Sequence, residues 1–482
     1  MLAEIERRNN ERFAAATLLY QRAFDIDPDY FLALYFLGVC NLQRVQSMAA
    51  IEGDSATDVS GYLNAAVTAF TTCLSQRPNF PWPLLLRGVA HASLQQFDLA
   101  TSDFERALKL ADADEVHDSE LFRYGIHINR GAVALQREQF ADAAADFEQA
   151  MKLRPDNPDP HVNMSEVHRR QKRFDAALAE LNTAAKLDAT NATVLRFRGR
   201  IHTLLDNETA AIEDYSKAAA IERSRTLAAA DHFEIGRIHQ RAGRLEPALS
   251  AYDQSLAVDS TNGDAIRLRA EVLLALDRLP QAIAAFSDFL KQGPLVGDAY
   301  RACGLALAKT GDYRAAINDY TRSLELELGP DSPNILTRRG WAYFLQSSQL
   351  ALADFDEAIR RNPKNGDSYN GRGYARVLLG DHAAAVKDAD EAITRGPKAF
   401  EVYYNAATIF SQSVVQSGRD KQLDAEARSR LATQFTSRAI DLLQQSAEIL
   451  GPQNRPLFLR TINGDSSLDP IREAEAFKKF LE

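Results

Sequence analysis

Cysteine is scarce: Cys40, Cys73 and Cys303 are the only three in 482 residues. Three thiols so far apart build neither a disulfide framework nor a four-ligand zinc site, and they suit a reducing, cytoplasmic setting. No run of 18 apolar residues occurs, so no membrane-spanning helix is expected. Charged residues crowd the start (Glu4, Glu6, Arg7, Arg8), where a secretory leader would need an apolar stretch. Glycine (24) and proline (17) together fall short of the usual share of about 12%, so few loops are expected. Positive charge is not in excess either. With 56 Lys and Arg against 66 Asp and Glu, the net charge is −10, which argues against nucleic-acid binding. Catalytic signatures are missing as well: no Gly-x-Ser-x-Gly elbow, glycine-rich phosphate loop, His-Arg-Asp or Asp-Phe-Gly. Neither an enzyme nor a cofactor is expected.

What is present is a recurrence. Small residues return at 38, 88, 131, 165, 199, 236, 270, 304, 340, 373 and 407, mostly glycine but Ser165, Ala270 and Ala407 in three cases. Usually twelve residues later stands an alanine, from Ala66, Ala100 and Ala143 to Ala385 and Ala439. Four residues on comes a large side chain, aromatic at Phe70, Phe104, Phe147, Tyr215, Tyr252, Phe286, Tyr320 and Phe355. Pro78, Pro155, Pro294, Pro363 and Pro397 close five of the units. Each unit holds two helix-length apolar-periodic stretches around a polar turn such as Thr310-Gly311-Asp312, which is an αα-hairpin. Small residues let the paired backbones approach, and the aromatic fills the groove between neighbours. One hairpin cannot bury its apolar face, so the core must come from stacking.

A 34-residue unit with these offsets resembles the tetratricopeptide repeat. The resemblance implies an all-α, right-handed superhelical solenoid of stacked hairpins. Counting the small residue as eighth, eleven units are expected over 31–453, with insertions near 43–60, 115–123 and 413–432 that lengthen connections. Residues 1–30 read as a partial unit whose second helix is 10–28; its first helix precedes Met1 or is abbreviated to residues 1–9. Residues 454–482 form a capping tail, which resembles the closing segment of repeat regions in large bacterial serine/threonine-kinase proteins. A pentatricopeptide RNA reader shares the hairpin stack, but its unit is one residue longer and typically basic.

The nine histidines favour packing over metal binding. His161/His168 and His232/His239 are two helical turns apart, about 10.5 Å, too far to share one ion. A Cys40–Cys73 bond within one hairpin is the lesser reading; buried inert thiols are the better one.

In the family that this pattern resembles, positions 2, 5, 9, 12 and 13 of each first helix line a concave groove. Units five to nine place Arg169, Arg170, Arg196, Arg200, Arg237, Arg241, Arg267, Arg301 and Lys309 there, outnumbering Asp159, Glu166, Asp264, Glu271 and Asp298. Trp341, Phe344, Tyr374 and Tyr404 follow, and Tyr35 and Trp82 precede. The groove thus reads as a basic centre with aromatic ends, suited to an acidic protein or peptide partner. The competing reading is a ladder of intrahelical ion pairs such as Asp298/Arg301. The expected function is a non-catalytic protein-interaction scaffold; the alternative is a recruiting arm of a larger kinase-type signalling protein. Self-association through the N-terminal unit, by way of Phe13, Leu18, Leu19 and Phe24, is a further expectation.

Overall fold

The structure is a computed structural model that describes residues 2–27, 29–49, 59–112, 119–292, 296–326, 332–344 and 346–481. Among these residues every regular element is a helix, and the chain divides into two compact units, Met1–Asn262 and Gly263–Glu482.

Unit 1 opens with α1 (Leu2–Ile26), α2 (Phe31–Ala49), α3 (Val59–Gln76), α4 (Pro81–Ser93) and α5 (Phe97–Asp112). It continues through α6 (Ser119–Gln136), α7 (Phe140–Leu153), α8 (Asp159–Arg170) and α9 (Phe174–Leu187). It closes with α10 (Ala192–Leu204), α11 (Glu208–Ile221), α12 (Arg225–Arg241) and α13 (Leu245–Val258). Unit 2 begins with α14 (Gly263–Ala275), α15 (Leu279–Lys291), α16 (Gly297–Thr310), α17 (Tyr313–Leu326) and α18 (Ser332–Phe344). Then come α19 (Ser348–Arg361), α20 (Gly366–Leu378), α21 (His382–Arg395), α22 (Phe400–Arg419) and α23 (Ala425–Leu450). The tail adds α24 (Arg455–Gly464), a 3₁₀ turn (Ser466–Ile471) and α25 (Glu475–Leu481). Within each unit consecutive helices pack as hairpins, α2 on α3 and α4 on α5 through to α22 on α23.

Local chemistry explains the punctuation. Asn191, Ser347 and Asp381 sit just ahead of α10, α19 and α21, and each accepts a backbone N–H from the first turn. The turns inside the hairpins need one left-handed residue, which Gly243, Gly311 and Gly380 supply without strain. Gln95, Glu138, Lys172, Asp206 and Asp277 hold the same position at φ of 57–59°.

The core follows the recurrence closely. All eleven alanines, from Ala66 to Ala439, have no exposed surface, and of the eight aromatics the most exposed is Tyr215 at 4%. Burying each ring contributes up to about 3 kcal/mol, so the stack rests on these contacts rather than on helix propensity. At Gly236 an added Cβ would lie 2.5 Å from the Tyr252 ring, and at Gly88 2.6 Å from Phe104. No side chain fits there without moving a ring.

Three features differ from the sequence reading. A single uninterrupted stack was expected over 31–453; two compact units are found, with the boundary in the turn between α13 and α14, while hairpin pairing is the same on both sides. The insertion at 413–432 does not lengthen a connection: it extends α22 to Arg419, with Ser413 and Ser417 buried, and starts α23 at Ala425. Nor is there an abbreviated first helix at 1–9, since residues 2–9 continue α1, an unbroken helix packed on α2. Of the insertion expected at 43–60, residues 43–49 continue α2 and 59–60 begin α3; residues 50–58, residues 113–118 of the second insertion, and Pro28 and Pro294 lie outside the described residues.

Candidate functional site

Arginine and aspartate supply the electrostatics that hold the hairpins closed. Arg87, Arg130, Arg198, Arg339 and Arg372, each one residue before the small glycine, grip Asp103, Asp146, Asp214, Asp354 and Asp388 on the paired helix. Both guanidinium arms engage, at 2.6–3.0 Å. Burial alone would raise Asp146, but hydrogen bonds from His127 and Arg130 hold it below the ordinary range. The signal was present in the sequence as Arg and Asp about 16 apart, and the sequence reading missed it.

Seven of the side chains expected to line a groove, Arg196, Arg200, Arg237, Arg241, Arg301, Trp341 and Phe344, fall in two clefts, one in each unit. In unit 1, α10 and α12 bring Arg196, Arg200, Arg237 and Arg241 around a cleft of about 490 Å³, together with Asp231 and Glu234. Arg196 is committed: its Nε and Nη2 donate to Asp231 at 2.7 and 2.8 Å, and Nη2 reaches Glu222 at 3.1 Å. Burial nevertheless pushes the Asp231 carboxyl above its ordinary range. Arg237 pairs with Glu234 at 2.9 Å on its own helix. Arg169 and Arg170, on α8, share Glu166 at 2.5 and 3.1 Å. Arg200 and Arg241 are exposed and have no carboxylate within ion-pair distance among the described residues.

In unit 2, Arg267 pairs with Glu271 at 2.7 Å, Arg301 with Asp298 at 2.6 Å and Lys309 with Asp277 at 2.9 Å. Trp341, Phe344 and Tyr374 form an aromatic cluster with ring centroids 5.8–6.1 Å apart. Trp341 and Phe344 line a cleft of about 620 Å³ with Arg301 and Arg338; Tyr374 lies behind them, its hydroxyl on Thr408. Tyr404 is half-buried against the tail. Its hydroxyl donates to Asp465 of the tail, and its ring packs on Phe458.

Much of the basic stripe is therefore an ion-pair ladder, partly within helices as the competing reading had it and partly between hairpins. Sequence reasoning also missed Arg338, which lies outside the inward set, and the tail that covers Tyr404.

The cysteines are free and buried, Cys40 and Cys73 included. His127 and His161 hydrogen-bond Asp146 and Glu180, whereas His168, His202 and His232 keep a buried ring nitrogen without a partner, and burial lowers the pKa of these three. Among the described residues no three His, Cys, Asp or Glu side chains gather to hold a metal ion, and no helix is long and apolar enough to cross a membrane.

Models of the tetratricopeptide repeat match residues 134–201, 233–296, 301–349 and 345–400. Among solved structures the chain is similar to YrrB, described as a TPR protein with an unusual peptide-binding site: 18% identity, TM-score 0.36, over 40% of this chain and 97% of that one. It is also similar to a tetratricopeptide repeat protein from Parabacteroides merdae (18%, TM-score 0.39, 51% and 98%). The C-terminal part of a TPR repeat-containing protein from Cytophaga hutchinsonii is a third (16%, TM-score 0.44, 51% and 98%). No curated protein matches the chain.

Proposed function

This chain belongs to the tetratricopeptide-repeat proteins, and on that footing we propose that it is a non-catalytic scaffold whose unit 1 cleft takes an acidic, extended segment of a partner protein. The observation that carries this is the pair Arg200 and Arg241. They are the two arginines of the α10/α12 cleft with no carboxylate within ion-pair distance among the described residues, whereas Arg196 is taken by Asp231 and Glu222 and Arg237 by Glu234. Free guanidinium forks bind carboxylates through paired hydrogen bonds and attract them over a distance. The three free, buried thiols support a cytoplasmic setting.

The test uses a labelled Glu- and Ser-rich peptide as probe. Replacing Arg200 and Arg241 together by Ala should weaken its binding about tenfold and flatten the salt dependence, at unchanged melting temperature. A probe indifferent to both the substitutions and salt would sink the reading.

A second reading, self-association, is favoured by α1. Of the four residues expected, Leu18 and Leu19 are 54% and 63% exposed while Phe13 and Phe24 are half-buried; Ile26 is 86% exposed. Concentration-dependent sedimentation abolished by Leu18→Lys would support it. A recruiting role for a larger signalling protein rests on the tail resemblance alone, and a kinase domain encoded in the same gene decides it.

A further inference from the structure

The tail shows what one inner face of this chain accepts. Three side chains of α22 that stand at inward positions of the unit all engage it. Tyr404 donates to the Asp465 carboxylate; Ser411 Oγ and Gln412 Nε2 donate to the Ser467 carbonyl at 2.8 and 2.7 Å. Leu468 is then fully buried, and Ile471 is 1% exposed. The occupant is thus a single 3₁₀ turn, Ser466–Ile471, entered by an acid, with a leucine three residues after that acid. Asp465 is the extended cap of that turn, its carboxylate held by Tyr404 while Leu468, three residues on, enters the core.

The α16/α18/α20 cleft offers the same pair of functions, unoccupied by the chain itself. Arg338 is exposed; it hydrogen-bonds the Tyr320 hydroxyl and attracts Asp367, but has no carboxylate within ion-pair distance among the described residues. Trp341, one turn later on α18, is half-buried, and residues three apart share a helix face. Leu305 and Phe344 extend that apolar wall, and Arg301 adds a second guanidinium. The Trp341 indole N–H is held by both Asp367 oxygens at 3.2 Å, which fixes the ring and engages the one acid that lines the cleft among the described residues.

We infer that this cleft binds, from a partner protein, a short helical turn carrying an acidic residue and a large apolar residue three positions apart. The acid meets Arg338 while the apolar side chain lies on Trp341, Phe344 and Leu305. This site lies in unit 2 and stands or falls apart from the basic cleft of unit 1.

Trp341 makes the test direct, because the chain has only two tryptophans. In the full chain carrying Trp82→Phe, Trp341 fluorescence is titrated with an acetylated peptide copying residues 464–471. A saturable blue shift is expected. Arg338→Glu should weaken binding at least tenfold, as should replacing either Asp465 or Leu468 of the peptide by alanine. Arg200→Ala with Arg241→Ala should leave it unchanged. No saturable signal up to about 1 mM, roughly the weak limit for a specific peptide, would overturn the inference. So would a signal indifferent to Arg338→Glu, which would mean that the peptide competes for the tail's place on α22.

Discussion

Arg196 of α10 holds Asp231 of α12 through two hydrogen bonds, 2.7 and 2.8 Å long, across 35 residues of chain. Asp231 is 1% exposed, so its charge is tolerable only while that fork is in place. Arg196→Ala should therefore cost about 3 kcal/mol, as loss of one partner of a buried pair does, and Arg200→Ala less than about 0.5 kcal/mol. Urea denaturation of the full chain checks the contrast. Equal costs would mean that the Arg196 pair contributes no more than a surface contact.

The hairpin turns give a second expectation. Lys172 and Asp206 sit at φ of 59° and 57°, where Gly243, Gly311 and Gly380 stand in sister hairpins. A Cβ in that conformation costs about 1–2 kcal/mol. Lys172→Gly and Asp206→Gly should each stabilise the chain by up to roughly 1 kcal/mol, after the entropy lost to a freer unfolded chain, and so raise the urea midpoint. A lowered midpoint for both would show that the side chains hold these turns.

Glycine to alanine should change sign with position. Gly236→Ala places a Cβ 2.5 Å from the Tyr252 ring and should destabilise by about 1–3 kcal/mol. Gly418, near the end of α22, has nothing within 4 Å of the same atom, and Gly418→Ala should stabilise by up to about 1 kcal/mol. Thermal melting of the two variants reads both signs.

Acid should weaken unit 1 in two stages. Burial lowers the pKa of His168, His202 and His232 below the ordinary 6.5, helped at His168 by Arg173 and at His202 by Arg198. As pH falls through 6.5 the unfolded chain takes up protons that the folded one refuses, so stability declines from there downward. Asp146 acts later: its folded pKa lies below 3.8, so its contribution is present above that value and lost beneath it. His202→Asn should flatten the first stage and leave the second. A melting temperature constant between pH 7 and 5 would contradict the histidine assignment.

How much was legible beforehand depends on the range of the interaction. The hairpins were legible because their determinants recur at fixed offsets. The buried alanine row and the rings of Phe104 or Tyr252 show as small and large residues twelve and sixteen positions after a glycine, whatever the rest of the chain does. Helix period and steric size are local properties, and they settled the fold class. The site was less legible. An arginine side chain reaches several ångströms and meets whatever carboxylate the neighbouring helix presents. Sequence spacing suggested partners for Arg301 three residues away, correctly, but could not show that Arg196 reaches Asp231 or that Arg200 is left alone. Nor could it show Asp465 returning 61 residues to cover Tyr404. Those pairings depend on which helix faces are brought together and how closely, and only the packed tertiary structure decides that.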